Sequence, residues 1–127
     1  MRRNLYGLAI IVAVLSLAGC AQPVHDVSNA PVVANGTATM EDVSKAIMRA
    51  GAALGWQMSP DREGHILGTL ALRTHVAVVD IDYDEKAYSI NYKSSTNLNY
   101  DGTNIHKNYN GWIQNLDKGI QLQLANL

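Results

Sequence analysis

The chain has 127 residues, of which 47% are hydrophobic and 17% are charged, and its formal net charge is −1. This length predicts a single domain, and the near-neutral charge excludes a nucleic-acid-binding protein of the type that carries a basic stripe. The only cysteine is Cys20, which excludes a scaffold built on disulfides.

The first twenty residues have the pattern of a secretory signal. Met1-Arg2-Arg3 is positively charged, and Leu5–Leu17 is an uncharged apolar stretch. Signal peptides combine a basic start with an apolar segment of about 7–15 residues, whereas a helix that spans a bilayer needs about 20. We therefore predict that residues 1–19 form a signal peptide rather than a transmembrane helix.

The run Leu17-Ala18-Gly19-Cys20 resembles the lipobox of bacterial prolipoproteins at every position. The resemblance implies cleavage between Gly19 and Cys20 by signal peptidase II, followed by a diacylglyceryl thioether and an acylated amino group on Cys20. Ala21 implies sorting to the outer membrane, because an aspartate at this position commonly retains Gram-negative lipoproteins at the inner membrane. The expected result is a domain facing the periplasm and bound to the membrane through Cys20. The alternative is an ordinary secretory signal with a chance or buried cysteine.

The next segment, 20–38, is predicted to be the lipidated cysteine and a flexible tether. It contains Pro23, Pro31 and Gly36 and has no sustained hydrophobic periodicity. The folded part is then a single α+β domain over residues 39–127.

A first helix is predicted after Thr39, which can cap its N-terminus. Glu41 and Asp42 lie in its first turn, where the helix dipole favours anions. Gly55 can take the left-handed position that closes a helix. One apolar stripe is formed by Val43, Ala46, Ile47, Ala50 and Leu54.

The hydrophobic period then changes to two, which predicts four strands joined by short turns. Short connections favour antiparallel neighbours. The predicted features are a weak strand around Trp56 and Met58, a turn at Pro60–Gly64, strands at His65–Arg73 and Val76–Tyr83, and a last strand marked by Tyr88, Ile90 and Tyr92.

A second helix is predicted from about Ile105 to Leu124. The expected fold is therefore an α+β two-layer sandwich in the order α-β-β-β-β-α, an antiparallel meander with both helices on one face. The domain also resembles small, mostly uncharacterised proteobacterial lipoproteins, which implies no particular activity. The residues that carry this resemblance are His65-Ile66, Ser95-x-x-Leu98-x-Tyr100 and Tyr109-Asn110-x-Trp112.

The chemistry-bearing residues predict neither catalysis nor a metal or cofactor. The acids from Asp80 to Glu85 resemble the start of an EF-hand, but the glycine and the closing glutamate of that loop are missing. The serines lie outside any Gly-x-Ser-x-Gly elbow. The histidines have no metal-binding spacing and are expected at the surface or at strand edges; they are His25, His65, His75 and His106.

Two surfaces are candidates for binding. The first is a run rich in asparagine and tyrosine, whose amides and phenols suit sugar or peptide recognition; its candidate ligand surface is Asn97, Asn99, Tyr100 and Asn108. The alternative is that these asparagines form turns, while Tyr109 and Trp112 belong to the helix core.

The second surface is the sheet face turned away from the helices. If Ala77, Val79 and Ile81 contact the helices, the outward residues are half apolar, and contiguous apolar surface often marks a partner site. The candidate partner surface is Leu67, Ala71, Val76 and Val78. A slipped register, or cover from the tether, would explain the same pattern.

These features predict a lipid-anchored, noncatalytic accessory or protein-interaction module of the periplasmic envelope, with an unidentified envelope protein as its partner. The alternative is a protein that binds a small ligand or a glycan such as a peptidoglycan fragment, with an enzyme as a third option. The sequence leaves the oligomeric state open.

Overall fold

A computed structural model describes residues 20–127. The predicted signal peptide, 1–19, lies outside these residues. The elements are β1 (Ala21–Pro23), β2 (Val27–Pro31), α1 (Met40–Ala53), β3 (Gln57–Arg62), β4 (His65–Leu72), β5 (His75–Tyr83), β6 (Ala87–Thr96), β7 (Asn104–His106) and α2 (Lys107–Ala125).

The architecture is α+β, as predicted. Strands β3 to β6 form an antiparallel meander, β2 joins its β6 edge to complete a five-stranded sheet, and β1 pairs with β7 in a separate two-stranded sheet. Both helices lie on one face. Gly51 of α1 lies against Met58 of β3, and the Tyr88 hydroxyl of β6 donates to Asp117 of α2.

Helix α1 has the two ends that the sequence predicted. Thr39 and Asp42 form a capping box, in which each side chain accepts a hydrogen bond from the other's backbone N–H at 3.1 and 3.0 Å. At the other end Gly55 has φ +85°. The N–H groups of Gly55 and Trp56 donate to the carbonyls of Ala52 and Gly51, which is a Schellman motif. The predicted stripe is buried except at its end, where Leu54 is exposed.

Strand β3 is longer than predicted. Residues Pro60–Arg62 were expected in a turn, but they continue the strand, and the turn is confined to Glu63 and Gly64. Proline is compatible with this position because β3 is an edge strand, where a missing N–H donor need not interrupt the ladder.

Helix α2 begins at Lys107 rather than Ile105. Ile105 is buried as predicted, but in β7, and the His106 side chain accepts from the Asn108 N–H at 3.2 Å to cap the helix. Most of the predicted stripe is fully buried, while Trp112 is half-buried against the core. The buried stripe residues in the helix are Tyr109, Ile113, Leu116, Ile120 and Leu124.

The prediction of a flexible tether at 20–38 was wrong, because this segment pairs with the domain and packs against its core. Ala21–Pro23 and Val27–Pro31 are strands, paired with β7 and β6. Asn110 of α2, which is only 6% exposed, accepts from the His25 N–H at 2.9 Å and donates to the Pro23 carbonyl at 2.9 Å. The domain therefore begins beside Cys20 instead of near Thr39. These partners are far away in sequence, so local composition gave no sign of them.

Candidate functional site: the outer face of the sheet

The outer face of the sheet has the orientation that alternation predicted. Ala77, Val79 and Ile81 are fully buried on the helix side, so Val76 and Val78 project outward and are half-buried. In β4, Leu67 is half-buried and Ala71 is exposed on the same outer face. We call Leu67, Ala71, Val76 and Val78 the apolar patch.

The described residues match neither alternative explanation of the apolar patch. The register pairs Ala71 with Val76 and Thr69 with Val78, so the outward residues are adjacent and the predicted face is kept. Within the described part of the chain, the predicted tether contributes β1 and β2, which pair side by side with β7 and β6 rather than forming a layer over β4 and β5. The apolar patch is therefore a real feature of the outer face.

A row of alternating charges crosses the same face at one end of the apolar patch. It takes one residue from each of four neighbouring strands, and we call Asp61, His65, Asp80 and Lys93 the charged row. Register shifts occur between Pro60 and Arg62, and between Val78 and Val79. Each shift lies next to a member of the row, which fits the way bulges re-aim side chains.

His65 is the centre of the charged row and is only 6% exposed. Its Nδ1 lies 2.5 Å from an oxygen of Asp61, and its Nε2 lies 2.8 Å from an oxygen of Asp80. Ionised carboxylates only accept hydrogen bonds, so both contacts are satisfied when both ring nitrogens carry protons. The geometry therefore favours the imidazolium form.

The pKa shifts of His65 and Asp61 agree with this geometry. The hydrogen bond to Asp61 raises the pKa of His65; burial opposes that increase, and the bond to Asp80 adds to it. The same hydrogen bond lowers the pKa of Asp61. Lys93 Nζ, 3.6 Å from Asp80, supplies a second cation to that carboxylate.

This arrangement is suited to holding strands together. Both ring nitrogens of His65 are engaged, so neither is available as a general base for a substrate. The two carboxylates lie at opposite ring nitrogens rather than around a common point. Across residues 20–127, no group of three or more His, Cys, Asp or Glu side chains is placed to hold a metal ion.

The charged row also forms the wall of a cleft of about 490 Å³. Leu67 of the apolar patch lines this cleft together with Arg62, Asp82 and Asn91. Apolar surface and charge are thus continuous on the outer face. Such a combination of an apolar centre and a polar rim is usual in protein interfaces.

His65 was predicted at a surface or edge, and its burial corrects that prediction. The sequence does contain evidence for the contact between His65 and Asp80, in the turn between β4 and β5. A tight turn after Leu72 pairs His65 with Asp82, which places Asp80 diagonally across from the imidazole. The contact with Asp61 could not be read in this way, because it depends on the register shift in β3.

The acids from Asp80 to Glu85, which resemble the start of an EF-hand, have separate structural roles. Asp80 belongs to the charged row, and Asp82 is exposed on β5. Asp84 accepts from the backbone N–H groups of Lys86 and Ala87, which lowers the pKa of Asp84 and closes the turn into β6.

The asparagine-rich loop, 97–103, connects β6 to β7, and its structure explains most of its unusual composition. Asn97 and Asn99 have φ of +59° and +53°, a left-handed conformation that asparagine tolerates better than most residues. Asp101 accepts from the backbone N–H groups of Thr103 and Asn104. These residues therefore shape the connection between β6 and β7.

The candidate ligand residues lie in two different elements. Tyr100 is 42% exposed, and its ring lies 4.1 Å from that of Tyr92, centroid to centroid. It belongs to the loop with Asn97 and Asn99. Asn108 is exposed in the first turn of α2 and lines a separate cleft with Gln22 and Trp112. Tyr109 is core, as the alternative reading had it.

Cys20 is exposed and directly precedes β1. Within residues 20–127, none of the helices is both long enough and apolar enough to cross a membrane.

Comparisons with known proteins returned no matches: no family model, curated protein or solved structure is significantly similar to this chain.

Proposed function

We propose that the protein is a lipid-anchored component of the bacterial envelope, attached through Cys20 to the outer membrane and facing the periplasm. The observation that carries this proposal is the run Leu17-Ala18-Gly19-Cys20 after an uncharged apolar segment. The exposure of Cys20, directly before β1, supports it, because a lipid must leave the protein surface. A single acyl chain binds membranes only marginally, so the several chains of a mature lipoprotein would give lasting attachment.

We further propose that the domain is a noncatalytic interaction module and that its outer sheet face binds an envelope protein. The apolar patch supports this interpretation because its side chains keep access to solvent beside a charged rim. The use of both His65 nitrogens in hydrogen bonds argues against acid–base chemistry at the charged row.

Lipidation is tested by Cys20→Ser in cells labelled with palmitate. We expect the parent to incorporate label and the variant to remain an unlabelled, longer precursor. Equal labelling of both proteins would contradict the proposed anchor. Ala21→Asp, a change at an exposed residue of β1, should move the protein from outer-membrane to inner-membrane fractions.

The interaction surface is tested by Val78→Lys, with Val33→Lys as the matched control at a valine that is 67% exposed outside the sheet. A lysine buried unpaired in an interface costs several kcal/mol, so we expect the affinity for the partner to fall at least about a hundredfold and the crosslinked product to be lost. Both variants should keep the parent's unfolding midpoint. Undiminished crosslinking of a folded Val78→Lys variant would contradict the assignment.

The second candidate function, binding of a glycan or other small ligand, has one observation in its favour. The exposed Tyr100 ring, tilted by 31° against that of Tyr92, offers the flat apolar surface that sugars contact. Thermal shift with muropeptides and saccharides distinguishes the two functions. A shift that is lost in Tyr100→Ala would favour ligand binding over the interaction module.

A further inference from the structure

The residues after Cys20 are part of the folded domain, which restricts how a lipid on Cys20 could hold it. Strand β1 begins at the next residue and pairs with β7, with Ala21 opposite His106. Asn110 fixes the same segment from the side, through hydrogen bonds with Gln22, Pro23 and His25. No flexible chain therefore separates Cys20 from the domain.

Antiparallel pairing also brings Cys20 to the start of α2. Because Ala21 lies opposite His106, Cys20 lies at the end of the pair where Lys107 begins the helix. Lys107 and Asn108 are exposed, and half-buried Trp112 lines a shallow cleft with Gln22 and these two residues. We call Cys20, Gln22, Lys107, Asn108 and Trp112 the N-terminal corner.

We propose that the N-terminal corner lies directly against the lipid headgroups, so that the domain is held in one orientation on the membrane. This inference rests on the proposed lipidation of Cys20. One residue extends the chain by less than about 4 Å, so acyl chains in the bilayer would bring β1 to its surface. Trp and Lys are the residue types that suit this environment, since indoles favour the membrane–water interface and lysines are attracted to anionic headgroups.

The two tryptophans of the chain provide an internal comparison. Trp112 belongs to the N-terminal corner, while Trp56 is 5% exposed and precedes β3, at the opposite edge of the sheet from β2. The membrane-extracted protein, with the lipid on Cys20 verified by mass spectrometry, is reconstituted into phosphatidylethanolamine–phosphatidylglycerol vesicles carrying nitroxide-labelled headgroups. Trp56→Phe leaves Trp112 as the only tryptophan, and Trp112→Phe leaves Trp56. Excitation near the red edge of the protein absorption band avoids the tyrosines.

We expect nitroxide quenching of Trp112 to be at least twofold stronger than quenching of Trp56. A flexible linker of about 15 residues, inserted between Cys20 and Ala21 with alanine as its first residue, extends the attachment by roughly 20 Å and should abolish the difference. If Trp56→Phe does not fold, the unmutated chain labelled with 5-fluorotryptophan gives the same comparison in bicelles, because nitroxide lipids would broaden the Trp112 fluorine resonance selectively.

The outcomes separate this inference from the function on which it rests. Lipidated protein with equal quenching of both tryptophans, or with quenching unaffected by the linker, would overturn the orientation and leave the anchor intact. Absence of lipid on Cys20 would overturn both.

Discussion

His65 connects three strands through two carboxylates, and its protonation should therefore affect stability. A group whose pKa is raised on folding contributes its full stabilisation below its unfolded pKa and loses that contribution as the pH rises through the folded value. Asp61 has the opposite sign, because its pKa is lowered and its contribution is lost only in acid. Arg62 and Lys93 line the same cleft as His65.

We expect the free energy of unfolding to fall as the pH rises above about 6.5, the ordinary pKa of histidine, and we expect His65→Gln to flatten this dependence. Urea denaturation at a series of pH values measures it. His25→Gln changes an exposed imidazole and should keep the parent's slope. If the stability of the unmutated protein does not change between about pH 6 and 8, protonation of His65 does not help to hold the strands together.

Tyr109 is a second residue of interest, because it carries a polar hydroxyl into buried surroundings. The side chain is fully buried, and its hydroxyl has no hydrogen-bond partner among the described residues. Burial raises the pKa of Tyr109, so the phenol stays neutral. Because an unpartnered buried hydroxyl costs about 1–3 kcal/mol, we expect Tyr109→Phe to leave stability unchanged or to increase it. Tyr88→Phe removes a hydroxyl that donates to Asp117, and it should destabilise the domain. Chemical denaturation compares the two, and a larger loss for Tyr109→Phe would contradict this interpretation.

Among the elements, the two helices have glycines that should respond in opposite ways to an added side chain: Gly111 within α2 and Gly55 just after α1. Gly111 is within α2, and a Cβ added there would meet no atom within 4 Å apart from its chain neighbours and the backbone of its own helix. Gly55 closes α1 with a positive φ, which a side chain makes unfavourable by about 1–2 kcal/mol. We therefore expect Gly111→Ala to stabilise the domain by about 0.5–1 kcal/mol and Gly55→Ala to destabilise it. Thermal unfolding of the two variants should give shifts of opposite sign, and shifts of the same sign would contradict the assigned roles.

Hydrophobic periodicity alone cannot show that Gly111 and Gly119 of α2 have different surroundings. A Cβ at Gly119 would lie 3.5 Å from that of Ala50, so this glycine is at the contact between α1 and α2. Both Gly111 and Gly119 interrupt the same helical pattern, and only the packing of the helices distinguishes them.

At the scale of the whole molecule, Asn110 joins the N-terminal segment to the domain. Asn110→Ala would leave the His25 N–H and the Pro23 carbonyl without their side-chain partner. We expect a loss of about 1–3 kcal/mol in stability together with faster amide exchange in residues 21–26. Asn115→Ala, at an exposed position of α2, should change stability by less than about 0.5 kcal/mol. Unchanged exchange in Asn110→Ala would show that strand pairing alone holds the segment.

The sequence by itself determined the α+β class, the four-stranded meander and the end caps of α1. These features depend on neighbours close in the chain: alternation along a strand, short turns, and a capping residue three positions from its partner. The orientation of the outer face followed for the same reason, since a strand with Val79 and Ile81 inward must direct Val78 outward.

Only the tertiary structure decided the place of the N-terminal segment and the charged row. β1 is held by β7 and Asn110, more than 80 residues away, and a strand of three residues has too little periodicity to be recognised. His65 acquired its partners through a register shift in β3 as well as through the β4–β5 turn. Hydrogen bonds between distant segments leave little trace in local composition, because the side chains that make them need only be polar and correctly placed.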